Sequence, residues 1–249
     1  QSALLAAVSG ILLILAFPPF ELWFTAWFAL VPLLWAIERE KASPVRAFIL
    51  GWIFGNIFFF GTCWWLTFAP ITYAGFPASL TYALMFCVTS TVAIFPGIFA
   101  SVLSFLLARL GPSAILTAPA VWVFSEFLRY WLTGNNWNAL GYSQAFTDLS
   151  RIELAGVGGM SLVSFYCVFW SAKLVGFIFM MTGRAGWKPL LAYVLILQPF
   201  FFFASRPYEK PPARIAEASV AVLQPNVPMS GLTAEKWNEL RNRHVRVCD

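Results

Sequence analysis

The sequence predicts an all-α polytopic membrane bundle of about seven transmembrane helices, followed by the first β-α unit of an incomplete α/β domain. Hydrophobic residues make up 60% of the 249 residues and charged residues 11%, a balance that soluble domains seldom show. The 62 residues from 47 to 108 hold no Asp, Glu, Lys or Arg, enough for two spans of about 20 residues each and a loop. The apolar runs also lack the alternation of barrel strands, so the spans are helical.

Polar residues, prolines and glycines divide the apolar sequence into segments that are long enough to cross a membrane. The first two segments are separated only by residues 18–21, which predicts an antiparallel hairpin. The fourth contains Pro96 and Gly97 and is long enough to be tilted or kinked. The predicted spans are residues 2–17, 22–37, 47–68, 79–108, 112–133, 156–180 and 187–204.

The orientation is predicted from the positions of Lys and Arg, which concentrate in the loops after the second, fourth and sixth spans. The other short loops are poor in cations. These three loops are therefore expected to face the cytoplasm, with the N-terminus on the same side and the C-terminal tail in the periplasm of a Gram-negative bacterium. The cations concerned are Arg39, Lys41 and Arg46 after the second span, Arg109 after the fourth, and Lys173, Arg184 and Lys188 near the turn after the sixth.

Composition also limits the function classes. No pair of cysteines has metal-ligand spacing, and His244 has no evident carboxylate or Cys partner, so no metal and no cofactor are predicted. The net charge of +5 comes largely from the loop cations, and no basic face with interleaved aromatics indicates nucleic acid. The first apolar run lacks a basic leader and a cleavage site, so it is interpreted as a retained span.

The amino-acid composition changes from apolar to charged after residue 205. Residues 206–249 carry 12 of the 27 charged side chains. The sequence divides into a transmembrane domain (1–205), a Pro-rich linker (206–217) and a soluble segment (218–249) that starts with a strand at 218–225. Thr233 is a predicted N-cap for a helix from 234 to about 247. One strand and one helix cannot bury a core, so this segment is predicted to start a larger domain.

Glu126 and Arg129 are the ionisable pair within the fifth predicted span. At helical spacing they share one face and can pair. One interpretation is an interfacial ion pair that fixes helix depth. The other is that they orient the following loop or contact a lipid headgroup, since ionisable residues in spans face protein or water. Trp122, one turn earlier, is interpreted mainly as a packing residue.

The loop of residues 134–144, GNNWNALGYSQ, is rich in turn formers and hydrogen-bonding side chains. Two interpretations stay open: a structured interfacial or re-entrant loop, or the lining of a site. Non-helical backbone at membrane depth must be shielded by protein or water, which favours the second if the loop dips inward. Its candidate site-supporting residues are Trp137, Gly141, Tyr142 and Gln144.

Together these motifs resemble the bacterial apolipoprotein N-acyltransferase family. The pattern Pro119-x-x-Trp122-x-x-x-Glu126-x-x-Arg129, followed by Trp137-x-x-x-Gly141-Tyr142-Ser143-Gln144, resembles its membrane domain. The segment Phe17-Pro18-Pro19-Phe20-x-x-Trp23 resembles the family's first turn. Leu223-Gln224-Pro225-Asn226-Val227-Pro228 with Lys236-Trp237 resembles the opening of its periplasmic nitrilase-like domain. The resemblance covers essentially the whole chain.

The resemblance implies a multi-pass protein of the bacterial inner membrane that acts in ping-pong acyl transfer. A Cys thiolate takes an acyl chain from a phospholipid and passes it to the α-amino group of a diacylglyceryl-cysteine at a lipoprotein N-terminus. It also implies that Trp237 and Lys236 contact lipid substrate, that Gln224 and Asn226 shape a strand end, and that the fifth-span residues and the loop support the membrane floor of the site.

The sequence departs from the family in its catalytic groups. The family's Glu, Lys and Cys belong to segments that would follow residue 249, and Cys248 lies in an unrelated context without an activating base or cation. Whether this chain is itself an enzyme stays open on sequence grounds. The alternative to a catalytic membrane domain is a truncated, non-catalytic relative that serves as a structural subunit of a membrane complex. Asn135 and Asn136 also replace the family's usual Phe-Pro.

Overall fold

The computed structural model describes residues 1–145, 152–204 and 233–248. These ranges are helical and contain no β-strand. The predicted strand at 218–225 and the linker lie outside them. The α-helices are α1 (Ser2–Ile14), α2 (Val31–Arg39), α3 (Pro44–Cys63), α4 (Phe68–Thr72), α5 (Ala78–Val92), α6 (Ile94–Leu110), α7 (Ala118–Thr133), α8 (Ala155–Met181), α9 (Trp187–Ala204) and α10 (Ala234–Cys248).

Four helical segments of the described chain are long and apolar enough to cross a membrane. This confirms a helical, multi-pass membrane protein. Helices α1, α2 and α7 are shorter, so the total of seven spans stays a prediction. Only 11% of the apolar stretch of α9 is buried, against 50% to 61% in the other three segments, which places α9 at the edge of the bundle. The four segments are Pro44–Thr72, Ala78–Leu110, Ala155–Met181 and Trp187–Ala204.

Close packing of α3 against α6 forms the centre of the bundle. A Cβ added to Gly51 on α3 would collide with the backbone of Pro96 on α6, so only glycine allows this approach. Beside this contact the rings of Phe54 and Phe99 meet the ring of Trp122 on α7, with centroid distances of 6.0 and 5.0 Å. All three rings are buried. Trp122 therefore joins α7 to the core, as the sequence predicts.

The long fourth apolar segment is broken between α5 and α6. Pro96 has no N–H for the carbonyl of Val92, four residues earlier, which weakens the helix at this point. Side chains of α3 bind the turn before the break, because Trp52 Nε1 donates to Ser90 O at 3.0 Å and Asn56 Oδ1 accepts from Ser90 Oγ at 2.9 Å. The kink predicted from Pro96 and Gly97 is thus present as a break at Ala93.

The second predicted span, residues 22–37, is not one helix. It consists of a 3₁₀ turn at Trp23–Trp27 and the nine-residue α2. Neighbouring helices satisfy its irregular backbone, since Ser9 Oγ donates to Ala29 O and Ser171 Oγ donates to Trp27 O at 2.9 Å. Backbone of this kind is tolerated at membrane depth only when protein or water supplies such bonds.

Several predicted loop cations gather at one end of the bundle. Glu38, near the end of α2, pairs with Lys41 at 2.9 Å and with Arg184, which follows α8, at 3.2 Å. Glu40 lies 3.6 Å from Arg46 at the start of α3. The basic residues after α2 and α8 therefore share one face of the protein.

Lys173, one of the cations predicted near the turn after the sixth span, does not lie in a loop. It lies inside α8, eight residues before the helix ends at Met181. Its Nζ points back towards the preceding turn, 3.0 Å from the ring centroid of Trp170. Helical side chains lean towards the N-terminus in this way. The cation is thereby held against an aromatic face within the bundle.

Helix α10 matches the helix predicted in the soluble segment. Its backbone N–H at Lys236 donates to Thr233 Oγ1 at 3.3 Å, the geometry of an N-cap. Trp237 N donates to Thr233 O at 3.0 Å, which closes the first turn. The predicted capping role of Thr233 is confirmed.

Candidate functional site

The candidate site is built where α7 ends and the loop of residues 134–145 begins. Gly134 adopts a left-handed conformation with φ of 67° and its N–H donates to Tyr130 O at 2.8 Å. Glycine favours this conformation because it has no Cβ, so it ends the helix and turns the chain back. The loop then returns towards the bundle and finishes in a 3₁₀ turn at Leu140–Gln144.

Glu126 binds the returning loop to α7. Its Oε1 accepts hydrogen bonds from Trp122 Nε1 and from the backbone N–H of Leu140, both at 2.9 Å. The residue is only 5% exposed. Oε1 thereby satisfies a backbone donor and an indole donor that would otherwise be buried without a partner, which is costly. Glu126 thus positions the loop, as one of the two sequence interpretations holds.

Arg129 serves the same loop from the next turn of α7. Its Nη2 donates to Asn136 Oδ1 at 2.7 Å, and its Cζ lies 5.3 Å from the ring centroid of Phe59. It does not form the predicted ion pair with Glu126, because no nitrogen of Arg129 lies within 4.0 Å of the carboxylate. The pairing interpretation is therefore wrong. Each charge instead takes its main partner from the loop.

Gly141 lets the loop lie directly on α8. Its N–H donates to Ser164 Oγ at 2.8 Å. A Cβ at this position would lie 2.5 Å from Met160 O, closer than real Cβ contacts. The glycine is therefore required by the close approach of loop and helix.

Gln144 joins the loop to the turn after α1. Its Nε2 donates to Trp23 O and to Ser143 Oγ, both at 3.0 Å, and its Oε1 accepts from Trp27 Nε1 at 3.2 Å. The side chain is completely buried. Its amide group thus fixes the loop against the Pro-rich first turn of the chain.

Asn138 joins the loop to the end of α3. Its Nδ2 donates to Thr62 Oγ1 at 2.8 Å and to Cys63 Sγ at 3.0 Å. The residue has a positive φ of 54°, which is uncommon outside glycine but tolerated by asparagine. Such strain persists where the surroundings enforce it, and here the contacts with α3 do so.

Above these contacts lies an open, mostly apolar cavity of about 700 Å³. The rings of Trp65 and Trp137 form part of its wall, with centroids 5.4 Å apart. Trp137 and Tyr142 are about half exposed. Ligand pockets of about 300 to 1,000 Å³ with apolar walls and a few polar groups are typical of small-molecule sites. The described lining consists of Phe17, Pro18, Pro19, Thr62, Trp64, Trp65, Trp137, Asn138 and Tyr142.

The structure brings the membrane-domain candidates together but not the tail candidates. Trp122, Glu126, Arg129, Gly141 and Gln144 lie beneath the cavity, and Trp137 and Tyr142 line it. Lys236 and Trp237 lie on α10 and are absent from its described lining. Gln224 and Asn226 lie outside the described residues.

The chemistry of the described site is that of binding and positioning. Cys63 Sγ has Asn138 Nδ2 and Thr62 Oγ1 as hydrogen-bonding neighbours, and neither is a general base. Across residues 1–145, 152–204 and 233–248, no group of three His, Cys, Asp or Glu side chains is arranged to hold a metal. The arrangement can therefore hold an apolar ligand beside a small polar wall.

Three contributors were missed at the level of sequence: Thr62, Asn138 and Ser164. Thr62 and Ser164 lie in apolar helical runs, where a hydroxyl commonly bonds its own helix backbone. Asn138 was one of three asparagines in the loop, and its spacing did not distinguish it. Only the return of the loop to α3 and α8 reveals these partners.

The fold and site define a polytopic helical membrane protein with an aromatic cavity at one end of the bundle. Residues 9–173 match the family described as the apolipoprotein N-acyltransferase N-terminal domain. The chain belongs to this family, as its motifs predict.

Curated relatives carry the same description. The chain is 30% identical to the apolipoprotein N-acyltransferase of Pasteurella multocida over 78% of the chain and 36% of that protein. It is 34% identical to that of Geobacter metallireducens over 65% of the chain and 30% of that protein, and 28% identical to that of Photobacterium profundum over 95% and 45%. The chain thus spans less than half the length of these relatives.

Proposed function

We propose that this chain forms the membrane portion of an apolipoprotein N-acyltransferase, which moves an acyl chain from a phospholipid to the N-terminal diacylglyceryl-cysteine of a lipoprotein. The cavity of about 700 Å³ is the observation that carries the proposal. Its volume and aromatic walls suit an acyl chain, while Thr62, Asn138 and Tyr142 supply polar atoms for the ester end.

The reaction divides into two steps. A thiolate attacks the ester carbonyl of the phospholipid, so that a thioester forms and a lysophospholipid leaves. The amine of the acceptor then attacks the thioester, which yields the amide and restores the thiol. Splitting one transfer into two easier ones is the advantage of covalent catalysis. We assign the Cys, Glu and Lys of these steps to a nitrilase-like domain that follows the linker, as the family resemblance implies.

The membrane domain contributes the binding and orientation of the lipid. The site residues bind the loop to three helices, α3 through Asn138, α7 through Glu126 and α8 through Gly141. A floor fixed in this way holds the ester near one position, and correct positioning lowers the entropic cost of reaction. Trp237 and Lys236 of α10 are proposed to contact lipid at the mouth of the site.

The cavity is proposed to open on the periplasmic side. Helix α3 has 20 residues, a length of about 30 Å, and it runs from the basic end at Arg46 to the cavity end at Cys63. Basic loop residues are enriched on the cytoplasmic side, so the opposite end faces the periplasm. The N-terminus is then cytoplasmic and the tail periplasmic.

Photolabelling of the chain in nanodiscs tests lipid binding directly. The probe is a phosphatidylethanolamine whose acyl chain carries a diazirine, and adducts are located by mass spectrometry. The probe is a trace component of the nanodisc lipid, so Trp131, which is 72% exposed on α7, meets it only at its bulk fraction. We expect labelling of Trp64, Trp65 and Trp137 in the cavity to exceed that of Trp131, because a lipid site with affinity for the probe enriches it. Equal labelling of all four would count against a lipid site.

Acyl transfer itself is tested on the full polypeptide that the gene encodes. The assay supplies a fluorescent phospholipid donor and a diacylglyceryl-peptide acceptor, and it measures the N-acylated peptide. Formation of the labelled peptide supports the proposal. Lipid labelling of the cavity without any transfer would indicate a lipid-binding protein that is not an acyltransferase.

The alternative of a non-catalytic structural subunit has one supporting observation. Helix α9 is largely unburied and exposes Ile196, Phe200 and Phe202. A stable partner helix would cover this face, whereas lipid satisfies it equally well. Co-purification from native membranes separates the two, because a defined stoichiometric partner favours the subunit and a monodisperse monomer favours the enzyme.

A further inference from the structure

A second, much smaller cavity lies directly beneath the site, between α7, the loop and the centre of the bundle. Its volume is about 20 Å³, and its polar lining comes from Ser125, Glu126, Arg129 and Asn138. A buried water needs roughly 10 to 15 Å³ of such volume, so the cavity has room for one water molecule.

Two buried atoms at this cavity lack a hydrogen-bond partner in the described part of the chain. They are Glu126 Oε2, an acceptor, and Arg129 Nε, a donor. The other contacts of the Glu126 carboxyl, with Trp122, Leu140 and Ser164, leave Oε2 unpartnered. Both residues are only 5% exposed. The great majority of buried side-chain polar atoms have a partner in protein or water. The two atoms therefore point to a ligand that can both donate and accept a hydrogen bond.

Asn138 supplies a third group. Its Nδ2 is used on Thr62 and Cys63, while no contact engages its Oδ1 within the described residues. Ser125 is already satisfied, because its Oγ donates to Trp122 O at 2.7 Å. The available partners are thus two acceptors and one donor, which is within the two to four partners of a buried water.

The charges around the cavity select a neutral occupant. An anion would meet the carboxylate of Glu126, and a cation would meet the guanidinium of Arg129. The two side chains interact electrostatically but do not approach within 4.0 Å, so they do not satisfy each other. A dipolar molecule that accepts from one and donates to the other resolves both unmatched groups.

We propose that this cavity binds one ordered water molecule, which accepts from Arg129 Nε and donates to Glu126 Oε2 and Asn138 Oδ1. The water bridges Glu126 and Arg129 of α7, which form no direct ion pair. It also links both residues to Asn138, the loop residue that contacts α3. It completes the support of the cavity wall at Asn138. The inference does not depend on the identity of the large-cavity ligand.

A structure of the wild-type chain in nanodiscs, at a resolution near 2 Å where waters are visible, tests this directly. The expected result is one density peak within hydrogen-bond distance of Glu126 Oε2 and Arg129 Nε. Two results would overturn the proposal. One is a direct Glu126–Arg129 ion pair that closes the cavity, and the other is a peak surrounded by oxygen ligands at cation distances.

Solid-state NMR of the chain with ¹⁵N-labelled arginine gives a second test that needs no density. Loss of one Nε–H signal in Arg129→Lys assigns that signal. We expect the Arg129 Nε–H to receive magnetisation from water while exchanging slowly with bulk solvent. Arg109, which is exposed at the end of α6, is the control and should exchange rapidly. Absence of any water transfer to Arg129 would contradict the bound water.

Discussion

Glu126 Oε1 accepts the backbone N–H of Leu140 at 2.9 Å, across 14 residues of sequence. The same oxygen accepts from Trp122 Nε1. One carboxylate oxygen thus connects a core tryptophan, the end of α7 and the returning loop. This contact makes the polar loop part of the bundle and keeps its aromatic residues at the cavity.

Replacing Glu126 by Ala should therefore destabilise the protein strongly. Two donors, Leu140 N–H and Trp122 Nε1, would be left buried without an acceptor, at a cost of about 3 to 5 kcal/mol in the free energy of unfolding. Glu126→Gln keeps an acceptor oxygen and should cost less. Thermal unfolding in detergent, followed by intrinsic fluorescence, measures both.

The control for this series is Glu235→Ala, which changes an exposed acidic residue on α10 and should stay within about 0.5 kcal/mol of wild type. An unfolding midpoint for Glu126→Ala equal to that of the control would show that the Leu140 contact does not hold the loop.

A methyl group at Gly141 should also disrupt the site. In Gly141→Ala the new Cβ would lie 2.5 Å from Met160 O, so the loop must move away from α8 and loses the bond to Ser164. We expect a loss of about 1 to 3 kcal/mol in unfolding free energy, the usual range for overpacking. Gly156→Ala on α8 is the matched control, because a Cβ there meets nothing within 4 Å. Equal stability of both variants would contradict the close approach.

The sequence predicts well those elements whose signals are local. The apolar run of α9 and the Thr233-capped start of α10 have the predicted bounds, because composition and capping act within a few residues. Residues 22–37 are as apolar as a span, yet they form a 3₁₀ turn and a short helix. Hydrophobicity alone does not distinguish a span from buried irregular backbone.

The sequence predicts Glu126, Arg129 and Gln144 as site-supporting residues, and the structure shows only how they are connected. Glu126 and Arg129 contact the loop from α7, and Gln144 contacts the turn after α1 from within the loop. The predicted pairing of Glu126 with Arg129 fails because each finds a better-oriented partner in the loop. Helical spacing predicts which residues share one face of a helix. The residues that contact this face depend on tertiary packing, which the spacing does not reveal.

Trp137 should matter for the lipid substrate. In the full-length polypeptide, Trp137→Ala removes the ring that packs against Trp65 and opens the cavity wall. Loss of about 1.5 kcal/mol of apolar contact corresponds to a roughly tenfold rise in KM for the phospholipid. Trp131→Ala changes an exposed tryptophan outside the described lining and should leave KM unchanged. If the two variants behave alike in the transfer assay, the cavity does not bind the donor.

The proposed orientation predicts which cysteines are labelled in intact cells. In a background without native cysteines, Asn135→Cys lies in the loop at the cavity end and Gly186→Cys lies beside the basic end. A membrane-impermeant maleimide should label the first in intact cells and the second only after permeabilisation. Labelling in the opposite order would reverse the predicted topology.

Lys173 and Trp170 should be energetically coupled. The Lys173 ammonium lies 3.0 Å from the Trp170 ring centroid and 5.4 Å from that of Phe169, and it forms none of the three ion pairs of the described residues. A desolvated cation–π contact is worth about 2 kcal/mol, whereas placing a lysine within a span costs about 2.5 to 3.5 kcal/mol. Lys173→Met should therefore be neutral or slightly stabilising.

Trp170→Leu should cost more when Lys173 is present than in the Lys173→Met background, because the cation then loses its aromatic partner. A double-mutant cycle of unfolding free energies measures this coupling, expected at about 1 to 2 kcal/mol. Additive effects of the two substitutions would show that Trp170 does not stabilise the cation.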